Sequence, residues 1–223
     1  MLQAWTKRGG GSVIGPLVIC CAVCDRKYEK KLRDLCRKDS KQLTAKQREA
    51  IYAELRTFCD FKWAEISAED LNELMKKMSL NDIEAMFMAS LAKPLKNADI
   101  MIDMPDRYGR TFRNRMKNFG FEKFEAEHKA DENYPIVAAA SIAAKVTRDA
   151  KIAKIREQLG IDFGSGYPSD ERTRVLLLKR DFLEKAKLFI RQKWKTLEAV
   201  KQRKLSHFTE EEVDELAGET KEL

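Results

Sequence analysis

Asp103 closes the short apolar run Ala98-Asp99-Ile100-Met101-Ile102, and Asp106 follows three residues later as a rival acid. A carboxylate ending a buried strand is a candidate ligand for a hard cation, which prefers oxygen donors. The plainer reading is a surface acid at a strand end. Sulfur offers a second chemistry. There are five cysteines, Cys20, Cys21, Cys24, Cys36 and Cys59. The odd total, with three crowded into one apolar segment, argues against a disulfide scaffold. Cys21-x-x-Cys24 is half a zinc pattern, but no second such pair follows and His128 and His207 are the only histidines. No zinc site is expected.

The net charge of +7 is unevenly spread over the 223 residues. Residues 208–223 carry seven acids against Lys221 alone, whereas Arg172–Lys204 holds twelve Lys or Arg and three acids. A basic body favours a polyanion, nucleic acid first. Solvated helix faces would give the same composition.

These residues need elements to hold them. Pro16–Cys24 is a continuous apolar run and reads as a buried strand. A short helix is expected within Arg26–Cys36. Thr44 can cap a second helix running to about Phe58, and a strand fits Asp60–Ser67. Ser79 or Asn81 starts a helix with Ile83, Met86, Phe87 and Leu91 on one face. Ala98–Asp103 reads as a short strand, Arg110–Phe119 as a helix and Phe121–Glu127 as a half-buried strand. Pro135–Leu159 is a long helix whose small residues, Ala138–Ala140 and Ala143–Ala144, allow close approach to a neighbour. Gly164–Pro168 is a loop, and the chain from Asp170 on is helical. Strands and helices interleave through the first two thirds, so the fold class is α/β with a helical C-terminal part.

Certain segments carry more than periodicity. They are Lys38-Asp39-Ser40-Lys41-Gln42-Leu43-Thr44, Glu127-His128-Lys129-Ala130-Asp131, Ala138 through Asp149 (A-A-A-S-I-A-A-K-V-T-R-D), and Gly164-Ser165-Gly166-Tyr167-Pro168-Ser169-Asp170. Val13-Ile14-Gly15-Pro16-Leu17 and, more loosely, Trp194-Lys195-Thr196 join them. In order and spacing the set, spanning about residues 9–197, resembles archaeal-type ribonuclease HII. The resemblance implies a ribonuclease H-like mixed β-sheet flanked by helices. It implies an endonuclease that cuts the RNA strand of RNA–DNA hybrids, and single ribonucleotides embedded in duplex DNA, with four carboxylates and Mg²⁺ or Mn²⁺. Two hard cations activate a water and stabilise the leaving oxyanion. The resemblance makes Asp103 and Asp131 the third and fourth acids, catalytic and metal-binding. On the substrate side, Tyr167 would stack on the sugar at the RNA–DNA junction, where the 2′-hydroxyl distinguishes RNA. Ser40 and Lys41 would hold a backbone phosphate, and Gly9 and Gly11 would bring backbone amides to the ribose. Lys145 and Arg148 could face either nucleic acid or solvent.

The chain departs from the family at its first motif, a strand ending A-G-(I/V)-D-E-A-G-R-G whose two acids are the first metal ligands. Thr6-Lys7-Arg8-Gly9-Gly10-Gly11 stands there. Gly9 and Gly11 remain, but Thr6 and Lys7 replace both acids, and a lysine repels a metal ion. Reverse translation offers an explanation. Reading from the last base of the Trp5 codon gives GAC, NAA, RCG and three NGG triplets, which can spell Asp-Glu-Ala-Gly-Arg-Gly. Its aspartate is forced. Residues 1–11 are therefore expected to be a frameshifted reading of the true N-terminus, with Met1 not the native start. Damage to a central strand and lower stability are expected with it.

The reading from a different class is a non-catalytic protein that binds RNA–DNA hybrids and has lost its metal site. A third, a secreted or lipid-anchored protein, rests on Lys7 and Arg8 ahead of the apolar run. Ile19 precedes Cys20 where a small residue is needed, and the run is too short to span a bilayer. The domain is expected to cover 1–197, with 198–223 a charged helical tail. Ser206–Leu223 shows no sliding-clamp pattern, and a cytoplasmic monomer is expected.

Overall fold

The computed structural model describes the backbone of residues 2–8 and the residues 11–36, 43–95 and 98–194. The expected tail, 198–223, lies outside them, as do Gly9, Ser40 and Lys41. The described residues form two compact units. One is drawn from 1–8, 18–65 and 77–148, the other from 9–17, 66–76 and 149–223.

The first unit is built on a five-stranded sheet. Its strands are β1 (Leu2–Arg8), β2 (Leu17–Cys24), β3 (Cys59–Ile66), β4 (Asp99–Asp103) and β5 (Glu125–Glu127), in the spatial order β3-β2-β1-β4-β5. β1 runs antiparallel to β2 and parallel to β4, and β4 runs parallel to β5. The mixed sheet flanked by helices is the architecture expected. β1 is its centre, paired from Leu2↔Cys24 to Arg8↔Val18 on one side and from Leu2↔Asp99 to Trp5↔Ile102 on the other. The expected loss of ladder bonds is not found, because the ladder is made by backbone groups that any non-proline residue supplies.

Local chemistry sets the helices around this sheet. α1 (Glu29–Leu35) is followed by α2 (Ala45–Leu55), which Thr44 starts through a reciprocal capping box with Gln47. Ser79 does the same with Asp82 for α4 (Leu80–Ala92). The sequence did not announce α3 (Ala68–Leu74), which Ser67 caps in the second unit. α5 (Gly109–Asn118) precedes β5, which is shorter than the alternation over Phe121–Glu127 suggests. Phe121 and Phe124 stack on each other, and Phe112 meets Phe124 edge-on at 5.6 Å. Ring packing takes the place of strand pairing there. α6 (Ala130–Asn133) is a single turn ahead of α7 (Pro135–Leu159), which has the bounds its periodicity predicts.

The core of the first unit sets Val18, Cys20, Ala22 and Cys24, alternate residues of β2, against Ala139, Ala140, Ile142 and Ala143 of α7. Small side chains let that helix lie close to the strand, and burial of this apolar surface is the main driving force. Arg148, expected at nucleic acid or solvent, is buried instead.

In the second unit, Val13–Gly15 pairs with the segment around Ile190. Gly15 N donates to Phe189 O and Arg191 N to Val13 O, both at 2.9 Å, and Ile14 bridges Ile190. The Arg191 guanidinium donates to Gly15 O at 2.9 Å and sits over the Trp194 ring. Two short helices, α8 (Glu171–Leu177) and α9 (Arg180–Lys185), represent the helical part expected after Asp170.

Candidate functional site

Asp103 is half-buried at the last position of β4. Parallel pairing aligns side chains of register partners on one face. Glu127 is the partner of Asp103 on β5, and Trp5 is the partner of Ile102 on β1. One step beyond, Thr6 follows Trp5 on β1 as Asp103 follows Ile102 on β4.

The rival acid has named partners of its own. Asp106 is buried, pairs with Arg115 Nε at 3.1 Å and accepts a hydrogen bond from Asn81. Arg115 also pairs with Asp82. Burial pushes the Asp82 carboxyl up, but the Ser79 hydroxyl and the Arg115 guanidinium outweigh it and hold it below the usual carboxylate range. Asp106 is thus committed to a structural ion pair.

Asp131 lies in the first turn of α6, half-buried, and its Oδ2 accepts a hydrogen bond from the Ser141 hydroxyl at 3.5 Å. α6 follows Lys129, which adopts the left-handed conformation with φ 56°. Such a backbone is costly for a non-glycine residue and commonly marks a functional turn. Tyr134 at the end of α6 donates its hydroxyl to Glu127 Oε1 at 2.6 Å. That bond, and the Glu127 charge behind it, raise the Tyr134 phenol above its ordinary value. A cleft of about 310 Å³ is lined by Arg33, Cys36, Asp131, Glu132, Asn133 and Pro135. The sequence did not single out Ser141, Tyr134 or Arg115. For Ser141 the signal was a lone hydroxyl in an alanine-rich, buried helix face.

Gly11 and Tyr167 belong to the second unit. Tyr167 is half-buried in a tightly bonded loop. Asp170 Oδ2 accepts from Ser165 N at 2.8 Å, and Thr173 Oγ1 accepts from Gly166 N at 3.1 Å while donating to Phe163 O at 2.7 Å. Gly166 O accepts from both Val13 N and Ile14 N, at 2.9 and 3.1 Å. The loop bearing Tyr167 is thereby fixed to the segment two residues after Gly11. Gly164 has φ +74°, and a Cβ there would lie 2.5 Å from the Asp170 carboxylate. Gly11 is exposed, and a Cβ there would meet nothing within 4 Å.

A family model described as Ribonuclease HII matches residues 8–197. The chain belongs to the ribonuclease HII family. Ribonuclease HII of Archaeoglobus fulgidus is 38% identical over 200 residues, covering 90% of this chain and 96% of that protein. The structure of the PCNA:RNase HII complex from Archaeoglobus fulgidus aligns with a TM-score of 0.82 at 36% identity, over 95% of this chain and 100% of that one. Ribonuclease H2 from Pyrococcus horikoshii OT3 gives 0.77 at 36% identity, over 92% and 99%. The mixed sheet is therefore a ribonuclease H-like fold. The family match begins at Arg8, just after Thr6 and Lys7.

Among the described residues, no group of three His, Cys, Asp or Glu could hold a metal ion. Asp103 and Asp131 supply hard oxygen donors, but among the described residues they do not amount to a divalent-metal site. No helix among the described residues is long and apolar enough to cross a membrane.

Proposed function

We propose that this chain is built on the frame of an endonuclease for the RNA strand of RNA–DNA hybrids and for ribonucleotides embedded in duplex DNA, with its cleavage impaired. The observation that supports this is the parallel β1–β4 pairing, whose last pair, Trp5↔Ile102, immediately precedes Thr6 on one strand and Asp103 on the other. Resemblance puts the first acid where Thr6 stands. Lys7 follows where the second acid belongs and adds a positive charge. Asp103 and Asp131 are then the two acids left of a four-carboxylate site for Mg²⁺ or Mn²⁺. Gly9, Gly11, Ser40, Lys41 and Tyr167 are the substrate contacts. Residues 1–11 read as a one-base frameshift of the native N-terminus.

The tightly bonded Tyr167 loop supports a second reading, a non-catalytic hybrid-binding protein, because its hydrogen bonds hold it without a metal ion. Asp103 and Asp131 would then serve local structure, and binding would rest on phosphate contacts and fall steeply with salt. A cytoplasmic monomer suits either reading.

The deciding experiment compares the full chain with the Thr6→Asp/Lys7→Glu variant on a duplex containing one ribonucleotide, with Mg²⁺ or Mn²⁺. Metal catalysis contributes several kcal/mol to such displacements, so the variant should cleave at least about a thousandfold faster. Rapid cleavage by the unaltered chain would contradict the impairment. Salt-sensitive binding without cleavage by either protein would favour the second reading. Resequencing the gene across the run encoding Gly9–Gly11 tests the frameshift, which a single confirmed open frame excludes.

A further inference from the structure

Three thiols play no part in the nuclease reading. Cys24 ends β2, Cys36 caps α1 and Cys59 begins β3. All three are buried free thiols in one hydrophobic cluster. β2 and β3 are neighbours in the sheet, with Cys24 at the end of one and Cys59 at the start of the other. Cys24 Sγ donates to the carbonyl of Phe58, the residue before Cys59, at 3.8 Å. Cys21 is three residues back along the strand, hence on the opposite face. The Cys21-x-x-Cys24 spacing therefore misleads, and the close partner of Cys24 comes from another strand. Cys36 lines the cleft that Asp131 also lines and retains 9% of its surface.

We propose that Cys24 and Cys59 are an oxidisable pair, closed to a disulfide by a small-molecule disulfide that enters through Cys36. The Cys36 thiol loses its proton to solvent, and its sulfur attacks one sulfur of the reagent. The reagent's S–S bond breaks, and its other half leaves as a thiolate that takes up a proton. Cys24, deprotonated in turn, attacks Cys36 Sγ and expels the second half of the reagent as a thiol. Cys59 then attacks Cys24 Sγ, and Cys36 leaves and regains a proton. Two protein thiols are oxidised, one reagent disulfide is reduced to two thiols, and Cys36 ends as it began. Burial, and Cys24 after it, push the Cys36 thiol up to about 12. Few thiolates exist at neutral pH, so the exchange is slow and accelerates with alkalinity.

The bridge would close the chain from Cys24 to Cys59, a stretch containing α1, residues 37–42 and α2. Ser40 and Lys41 lie within it. Cross-linking a stretch of that length restricts the unfolded chain and stabilises the folded one. This inference does not depend on the nuclease reading.

The test incubates the full native chain with excess oxidised glutathione at pH 8, followed by alkylation and digestion without reductant. The expected results are a Cys24–Cys59 linked peptide, loss of two of the five thiols, and a Tm raised by several degrees that dithiothreitol reverses. Cys36→Ala should slow the linkage at least about tenfold and leave its identity unchanged. A stable link between any other pair would overturn the assignment. So would a native chain that loses no thiol while the urea-unfolded chain reacts fully. Linkage at undiminished speed in Cys36→Ala would overturn the entry route. The peptide map of the unaltered chain decides the pair even where a variant folds poorly.

Discussion

Trp5 pairs with Ile102 at the end of the β1–β4 register, and Thr6 follows Trp5 on β1 as Asp103 follows Ile102 on β4. Lys7 follows Thr6 in the sequence, and a positive charge near metal-binding carboxylates opposes cation binding. A unit charge about 4 Å away is worth roughly 4 kcal/mol at an effective dielectric of about 20. Exchanging Lys7 for Glu reverses that charge, and exchanging Thr6 for Asp adds an oxygen donor. The Thr6→Asp/Lys7→Glu variant should therefore bind Mn²⁺ at least about a hundredfold more tightly than the unaltered chain. Isothermal titration calorimetry measures this. Adding Asp103→Asn to the double variant should remove most of the gain, and an undiminished gain would dissociate Asp103 from the ion.

Arg115 holds the loop that follows Asp103. It reaches Asp106 at 3.1 Å and pairs with Asp82, joining α5, the loop after β4 and the start of α4. Asp106 is 5% exposed, so replacing Arg115 by Met leaves a buried carboxylate with Asn81 as its remaining named partner. Breaking one side of a buried pair costs about 3 kcal/mol. Urea denaturation should show a loss of roughly that size for Arg115→Met. Lys117→Met, whose partner Glu122 is exposed, should change stability by less than about 1 kcal/mol.

Local signals were legible and tertiary ones were not. Thr44 and Ser79 announced their helices because a cap is decided by residues three apart. Pro135–Leu159 was legible from its apolar spacing and its opening proline. The pairing of Asp106 with Arg115 was not, because Arg115 comes from a helix that follows and the contact has no sequence period. The contact from Ser141 to Asp131 joins two helices and has no sequence period. Phe121 and Phe124 suggested a half-buried strand because two apolar rings stood among glutamates, but they stack on each other instead. Asp131 and Tyr167 were singled out by motif resemblance alone, since their residue types would not have marked them.

Two glycines separate folding from function. Gly164 combines φ +74° with a Cβ position 2.5 Å from the Asp170 carboxylate, so Gly164→Ala should cost about 1–3 kcal/mol. Gly11 has open space around it and no left-handed φ, so Gly11→Ala should change stability by less than about 0.5 kcal/mol. If Gly11 brings its backbone to a ribose, the added methyl should weaken hybrid binding several-fold while leaving Tm unchanged. Thermal melts and fluorescence anisotropy with a labelled hybrid measure the two effects. A Gly11→Ala protein that melts early would remove Gly11 from the set of substrate contacts.

Asp170 makes the Tyr167 loop acid-sensitive. Burial raises its carboxyl, but the Ser165 backbone NH and hydroxyl, the Thr173 NH and Arg172 outweigh it, and the net shift is downward. The folded value therefore lies below the unfolded one, which is near 3.9. A depressed carboxyl contributes stability that is complete above the unfolded value and is lost as pH falls through the folded one. Asp170→Asn should be less stable than the unaltered chain at pH 6. That difference should shrink below about pH 4 and vanish once both states are protonated. Asp162, held down by Gly164 N, Arg156 and Arg172 against its own burial, titrates in both proteins and cancels in the comparison. Urea midpoints at pH 6, 4 and 3 provide the measurement. A gap that stays constant across the three would mean that the geometry of Asp170, not its charge, holds the loop.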